Sequence, residues 1–317
     1  MSNFLVINLS YFGDVLLTNA LCQNIKLEYP ESKVIFAVDK PFYEAAKYMK
    51  DVDDVLAFDK RGEHKGLLGL LKFVTNCKYK FKIDTAFIMY GNDRGILLSF
   101  FLGVKKRISA TPKITRRLLT HQDLDFENYH QTQDTNASFL KTLTNKSITP
   151  LPIKYLPAKE AISFAENLFS EFGITTDDEV IGICATSKRI EKDIPVKDCV
   201  DLINHLTKNN KKVLFTGAGK RSVDYITQIQ ELGCNNFIDL VNKTTISQLA
   251  SVIKKCDKFI SVDTGTMHLT CAIETPLLAL FYDPSCIERW APKEFYNHKL
   301  LKENITVENI LETLAEI

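Results

Sequence analysis

No CxxC pair occurs among the eight cysteines of this 317-residue chain, so the common zinc and redox frameworks are excluded and the thiols read as reduced residues in or near cores. Also missing is an excess of charge of one sign. Forty Lys and Arg stand against 39 Asp and Glu, so no global field invites nucleic acid, and any anion must be held locally. No apolar run reaches about 18 residues, the length that marks a membrane-spanning helix. The opening MSNFLVINLS runs into a strand without a positive region or a cleavage signal, and a cytoplasmic protein is expected. Two phosphate motifs are absent as well. No GxGxxG follows an expected strand, and at residues 216–221 (TGAGKR) the P-loop spacing fails, because Leu214 stands where the first glycine belongs and Arg221 replaces the Ser or Thr that would meet magnesium.

What is present is alternation. Short apolar runs at 4–8, 33–38, 55–58, 84–89 and 106–109 are separated by segments with helical spacing, and the same holds for 179–184, 212–215, 237–240, 258–262 and 276–281. Strands separated by helices imply right-handed crossovers onto parallel sheets, with binding loops at the carboxyl ends of the strands. The length exceeds one small core, so two α/β domains are expected, 1–150 and 151–317, with the three prolines of residues 144–157 marking the linker. After Ser109 the periodicity loosens into a long loop.

Three places carry candidate chemistry. At 258–272 (KFISVDTGTMHLTCA) an apolar strand stops at a polar turn and a helix begins, the arrangement whose unpaired amides and dipole receive an anion. Asp263, Thr264, Gly265 and His268 line that turn; alternatively Asp263 or Thr264 caps the helix, Gly265 relieves the turn and His268 is a satisfied surface residue. Past the strand at 179–184, Thr186, Ser187 and Lys192 offer hydroxyls and a cation to phosphate oxygens, with Lys188 and Arg189 competing for the same duty. Asp14 follows the first strand where the first helix begins. Its carboxylate suits a general base, or else Asp14 or Ser10 caps the helix. Lys105, Lys106, Arg107, Lys113, Arg116 and Arg117 gather around the long loop, where they meet an anionic acceptor or lipid headgroups or form a solvated face.

Residues 8–21 (NLSYFGDVLLTNAL) resemble the amino-terminal signature of the lipopolysaccharide heptosyltransferases, glycosyltransferase family 9, and residues 259–292 (FISVDTGTMHLTCAIETPLLALFYDPSCIERWAP) resemble the carboxyl-terminal one, in the same order and spacing. The resemblance implies a GT-B enzyme: two Rossmann-like domains with parallel sheets facing across a cleft, the acceptor on the first domain and a nucleotide-sugar donor, typically ADP-heptose, on the second. It further implies inverting transfer onto an anionic, lipid-linked saccharide, the lipopolysaccharide inner core. No metal holds the diphosphate in this family, and no cofactor is expected. Asp14 matches the family's proposed base, Lys192 its phosphate-binding lysine, Thr186 and Ser187 the hydroxyl neighbours, and Asp263, Thr264, Gly265 and His268 the donor-phosphate loop. Ile194 stands where the family usually has Trp, Thr266 replaces a Pro, and Gly217, Gly219, Lys220 and Arg221 replace a Gly-Gly pair with a following Glu, leaving Asp224 as the nearest acid. The alternatives are transfer from another nucleotide sugar to a capsule or protein acceptor, and a nucleotide-sugar binding protein without turnover. A lipid-linked acceptor also implies peripheral contact with the inner face of the inner membrane.

Overall fold

The computed structural model describes residues 2–78, 80–122 and 131–317; residues 123–130 of the loop expected after Ser109 lie outside them. The chain divides into two compact units, Met1–Lys154 and Tyr155–Ile317. In the first, β1 (Asn3–Asn8), β2 (Lys33–Asp39), β3 (Asp54–Phe58), β4 (Thr85–Ile88), β5 (Lys106–Ser109) and β6 (His121–Gln122) form one sheet in the order β3-β2-β1-β4-β5-β6. Every neighbouring pair is parallel. Its helices are α1 (Phe12–Leu17), α2 (Asn19–Glu28), α3 (Tyr43–Lys47), α4 (Gly66–Lys78), α5 (Asp93–Phe101), α6 (Thr132–Ser138) and α7 (Lys141–Thr144).

The second unit repeats the plan. Here β7 (Val180–Cys184), β8 (Lys212–Phe215), β9 (Ile238–Asp239), β10 (Lys258–Val262), β11 (Leu277–Leu280) and β12 (His298–Leu301) take the order β12-β11-β10-β7-β8-β9, again parallel throughout. Around it stand α8 (Lys159–Glu171), α9 (Val196–Lys208), α10 (Lys220–Glu231), α11 (Ile246–Lys254), α12 (Gly265–Ala272), α13 (Ile287–Trp290) and α14 (Val307–Ala315). No helix among the described residues is long and apolar enough to cross a membrane.

Burial explains why these segments are strands. All five residues of β7 are buried, as a strand covered on both faces requires. Gly182 within it is demanded by packing: a Cβ there would lie 2.3 Å from the ring of Phe259 on β10. Each unit has its own core, one around Leu5, Ile7, Ile35 and Phe58, the other around Ile181, Phe215, Ile260 and Leu280.

Two features differ from the sequence reading. The helix expected from Asp14 onward is two helices that meet at Thr18, whose hydroxyl donates to the Asp14 carbonyl at 2.8 Å while the Asn8 amide reaches the same oxygen at 3.0 Å. Side chains competing for a helix carbonyl bend or break the ladder. The long loop after Ser109 contains a single-turn helix, Ile114–Leu118, and the edge strand β6. Between the units the chain changes allegiance within one peptide bond. The Lys154 N–H donates to Asn19 Oδ1 at 2.8 Å and its carbonyl accepts from Lys50 at 3.0 Å, whereas the Tyr155 N–H donates to the Ala272 carbonyl at 3.0 Å.

In both sheets the strand order reverses beside the first strand, between β1 and β4 and between β7 and β10. In open parallel sheets ligands bind outside the carboxyl ends of the strands at such reversals.

Candidate functional site

The first reversal is followed by Asp14. β1 ends at Asn8, which is 1% exposed, and its side chain organises the loop: Oδ1 accepts from the Ser10 N–H at 2.9 Å, and Nδ2 donates to the Asp14 carbonyl and to Thr18 Oγ1 at 2.8 Å. Asn136 Nδ2 reaches the same hydroxyl at 3.3 Å. Asp14, third residue of α1 and buried, accepts from Ser10 Oγ at 2.6 Å and from the Tyr11 N–H at 3.2 Å. It therefore closes the helix start, as its structural reading required, while Ser10 is not the capping residue but a donor to Asp14. Both bonds fall on Oδ2, so capping occupies one oxygen of the carboxylate.

A cavity of about 220 Å³ opens here, lined by Ser10 and Tyr11 from the loop, Lys60 and Arg61 after β3, and Asn92 after β4. Lys60 is fixed by Asp39 at 2.9 Å and the Leu9 carbonyl at 2.8 Å. Asp39 is buried, so this cation neutralises it, and the exposed Arg61 is the freer charge at the rim.

At the second reversal β10 ends at Val262 and α12 begins at Gly265. Thr264, extended at φ −153° and ψ 170°, places no side-chain bond on the helix, so the first amides are not capped by it. Asp263 does not cap either. Its carboxylate pairs with Lys192 Nζ, and both side chains are about nine-tenths buried, 9% and 10% exposed. Lys192 is carried there by the loop after β7, whose short turn Ile190–Lys192 is closed by the Ile194 N–H donating to the Ala185 carbonyl at 3.0 Å. Burial pulls the Lys192 pKa down, but its bonds to Asp263 and to Cys286 more than offset this, and it lies above the ordinary lysine value. Lys192 is an ammonium at neutral pH.

The other expected residues surround this pair unequally. Thr186 and Ser187 share the loop of Lys192 but bond elsewhere: Thr186 Oγ1 to Ser222 Oγ at 2.8 Å, the Ser187 N–H to Asp193 Oδ1 at 2.7 Å, and Ser187 Oγ to the Arg189 carbonyl at 2.8 Å. His268 is buried on α12, its ring 6.4 Å from that of Trp290 on α13. Arg189 is drawn away to Asp283, at 2.8 Å, and to Glu191, at 2.6 Å. The Ser285 hydroxyl, against the opposing effect of burial and with help from Cys286, the Ser285 N–H and Arg189, holds the Asp283 carboxyl down at about 2. Lys192 is thus directed at the α12 turn, and Arg189 is not.

Sequence reasoning missed Ser222, Asp193 and Trp290, and it noted Arg221 only as a departure. Arg221, in the first turn of α10, pairs with Asp193 in the loop after β7. Burial raises the Asp193 pKa against Ser187 and Arg221. No spacing rule links positions 193 and 221; the signal is the basic residue two places beyond Gly219, which has φ +85° and opens α10.

Comparison with known proteins identifies the family and the fold. Residues 83–305 match the family described as glycosyltransferase family 9 (heptosyltransferase). The lipopolysaccharide core heptosyltransferase OpsX of Haemophilus influenzae is 24% identical over 282 residues, 87% of this chain and 78% of that protein. The crystal structure of the glycosyl transferase family 9 from Veillonella parvula superposes with a TM-score of 0.91 at 21% identity, over 99% of this chain and 96% of that one. The ADP-heptose LPS heptosyltransferase II of E. coli does so with a TM-score of 0.84 at 18% identity, over 100% and 98%. The fold is GT-B in class, built from two Rossmann-like units with parallel sheets.

Proposed function

Because this chain belongs to glycosyltransferase family 9 (heptosyltransferase), we propose that it moves heptose from ADP-heptose onto the inner core of lipopolysaccharide with inversion, at the cytoplasmic face of the inner membrane. The first unit takes the acceptor and the second the donor. The observation that carries this reading is that unlike chemistries stand at the strand-order reversals of the two sheets: a carboxylate after β1, and a buried ammonium from the loop after β7 beside an uncapped helix start after β10.

In this reading the acceptor hydroxyl attacks the anomeric carbon of the donor sugar from the face opposite the diphosphate. Its proton passes to the Asp14 carboxylate as the carbon–oxygen bond forms. The bond from the anomeric carbon to the phosphate oxygen breaks, and its electron pair leaves on ADP. The α12 amides at Gly265 and Thr266, together with Lys192, stabilise that gathering charge, which is greater in the transition state than in the bound donor. Asp263 holds Lys192 in place without leaving it uncompensated when the site is empty, Thr264 and His268 border the diphosphate, and Thr186 and Ser187 supply hydroxyls from the β7 loop. The diphosphate is held without a metal ion. The cavity beside Ser10 and Tyr11, with Arg61 at its rim, receives the anionic saccharide.

The test is a panel of ADP-, UDP- and GDP-sugars, followed by thermal shift and by nucleotide release with and without a lipid A–linked inner-core acceptor. ADP-heptose should raise the melting temperature and release ADP in the presence of acceptor. A shift by a UDP- or GDP-sugar alone would move the donor assignment, and a shift without transfer to any acceptor would favour a binding role.

A further inference from the structure

We propose that the amino-terminal end of α4, which carries Leu67, Leu68 and Leu71, docks on an anionic lipid bilayer. The helix buries Leu70, Phe73, Val74 and Cys77, a stripe with three- and four-residue steps that accounts for its packing in the core. The three leucines are left over: Leu67 is 60% exposed, Leu68 83% and Leu71 37%. Single apolar side chains on a surface are ordinary, but three brought together by three- and four-residue steps of one helix make a patch, and patches of this kind mark contact sites.

The turn is built to hold them out. His64 Nδ1 accepts from the Asp59 N–H at 2.9 Å, the His64 N–H returns to the Asp59 carbonyl at 2.9 Å, and the His64 ring packs 4.9 Å from that of Phe73. Gly66 then turns the chain at φ +69°, and a Cβ on Gly69 would lie 2.4 Å from the His64 carbonyl carbon. The leucines therefore project from a segment locked to the core.

Charge selects the occupant. Arg61, Lys65 and Lys72 are exposed around the turn; of its two carboxylates, Glu63 is paired to Lys72 at 2.9 Å and Asp59 to Lys40 at 3.2 Å. Apolar side chains within a basic rim complement the boundary between anionic headgroups and acyl chains, whereas a second copy of this face would bring like charges together. Arg61 also lines the cavity beside Ser10 and Tyr11, so one short turn runs from the saccharide cavity to the leucines. The inference rests on the reading that the acceptor is lipid-linked, and it states where the lipid lies: under α4, with the sugar toward the cavity.

The experiment is co-sedimentation of the full chain with vesicles of phosphatidylethanolamine and phosphatidylglycerol, and with phosphatidylcholine vesicles, comparing wild type with a Leu67→Ser/Leu68→Ser double variant. Both side chains are more than half exposed, so the variant should keep the wild-type melting temperature and unchanged turnover on a soluble, deacylated acceptor. Wild type should bind the phosphatidylglycerol vesicles, and the variant should bind them roughly tenfold or more weakly. A Leu68→Cys variant labelled with an environment-sensitive fluorophore should shift to the blue on adding the same vesicles. Equal binding by wild type and double variant, no binding by wild type, or an unshifted probe would overturn the proposal. So would a wild-type dimer that the double variant abolishes, since it would assign the leucines to a second copy. Leucine-dependent vesicle binding in a preparation that transfers no heptose would uphold the docking surface and overturn the functional reading instead.

Discussion

At the residue scale the second unit stakes most on Lys192 and Asp263. Two nearly buried charges are tolerable only as a pair, because removing one leaves the other without solvent or counter-ion. Lys192→Met should therefore lower unfolding stability by about 3–5 kcal/mol, read as a fall in the urea midpoint, as well as weakening ADP binding. The companion Lys192→Met/Asp263→Asn protein removes both charges and should recover much of the stability but not the nucleotide affinity. If the double variant bound ADP like wild type, Lys192 would have no role in holding phosphate. The pH dependence has a definite sign. The Lys192 pKa is raised above its ordinary 10.5, so the stability of the pair is complete below pH 10.5 and is lost as pH rises through the higher folded value. Urea midpoints from pH 8 to 11 should fall at the alkaline end in wild type more than in the double variant.

At the element scale, β7 and β10 meet with no space to spare. Gly182→Ala forces a methyl group into the Phe259 ring, and overpacking of that kind typically costs about 1–3 kcal/mol. A melting temperature unchanged by Gly182→Ala would show that the strands part more easily than their packing implies. The interior strands were legible in the sequence because parallel strands covered on both faces are continuous apolar runs. Of the four edge strands, β3 and β9 lie in short apolar runs and were legible, whereas β6 (His-Gln) and β12 (His-Lys-Leu-Leu) contain polar or charged residues that break such a run. The break at Thr18 was hidden for another reason: the Asn8 amide that helps cause it lies ten residues upstream of the threonine. The turn at Asp263 was legible because strand, turn and helix follow one another in sequence. The partners Ser222 of Thr186 and Arg221 of Asp193 were not, because folding alone brings the start of α10 to the loop after β7.

At the scale of the whole molecule, two sheets with one strand order place every expected site residue at or just beyond the carboxyl end of a strand that borders a reversal. All eight cysteines are free and buried, and burial pushes up the thiols of Cys77, to about 11, and Cys199, to about 12. At pH 8 the native chain should react with Ellman's reagent far more slowly than the urea-unfolded chain, which should titrate all eight thiols. A rapidly labelled native thiol would mean that one of the cores opens.

The central claim is that Asp14 takes the acceptor proton while the second unit grips the donor. It is tested most directly by measuring heptose transfer and ADP affinity on one preparation of Asp14→Asn, which keeps the shape of the side chain. Transfer should fall by at least about a hundredfold with the ADP dissociation constant within about twofold of wild type. Transfer at the wild-type rate, or a matching loss of ADP affinity, would contradict the account.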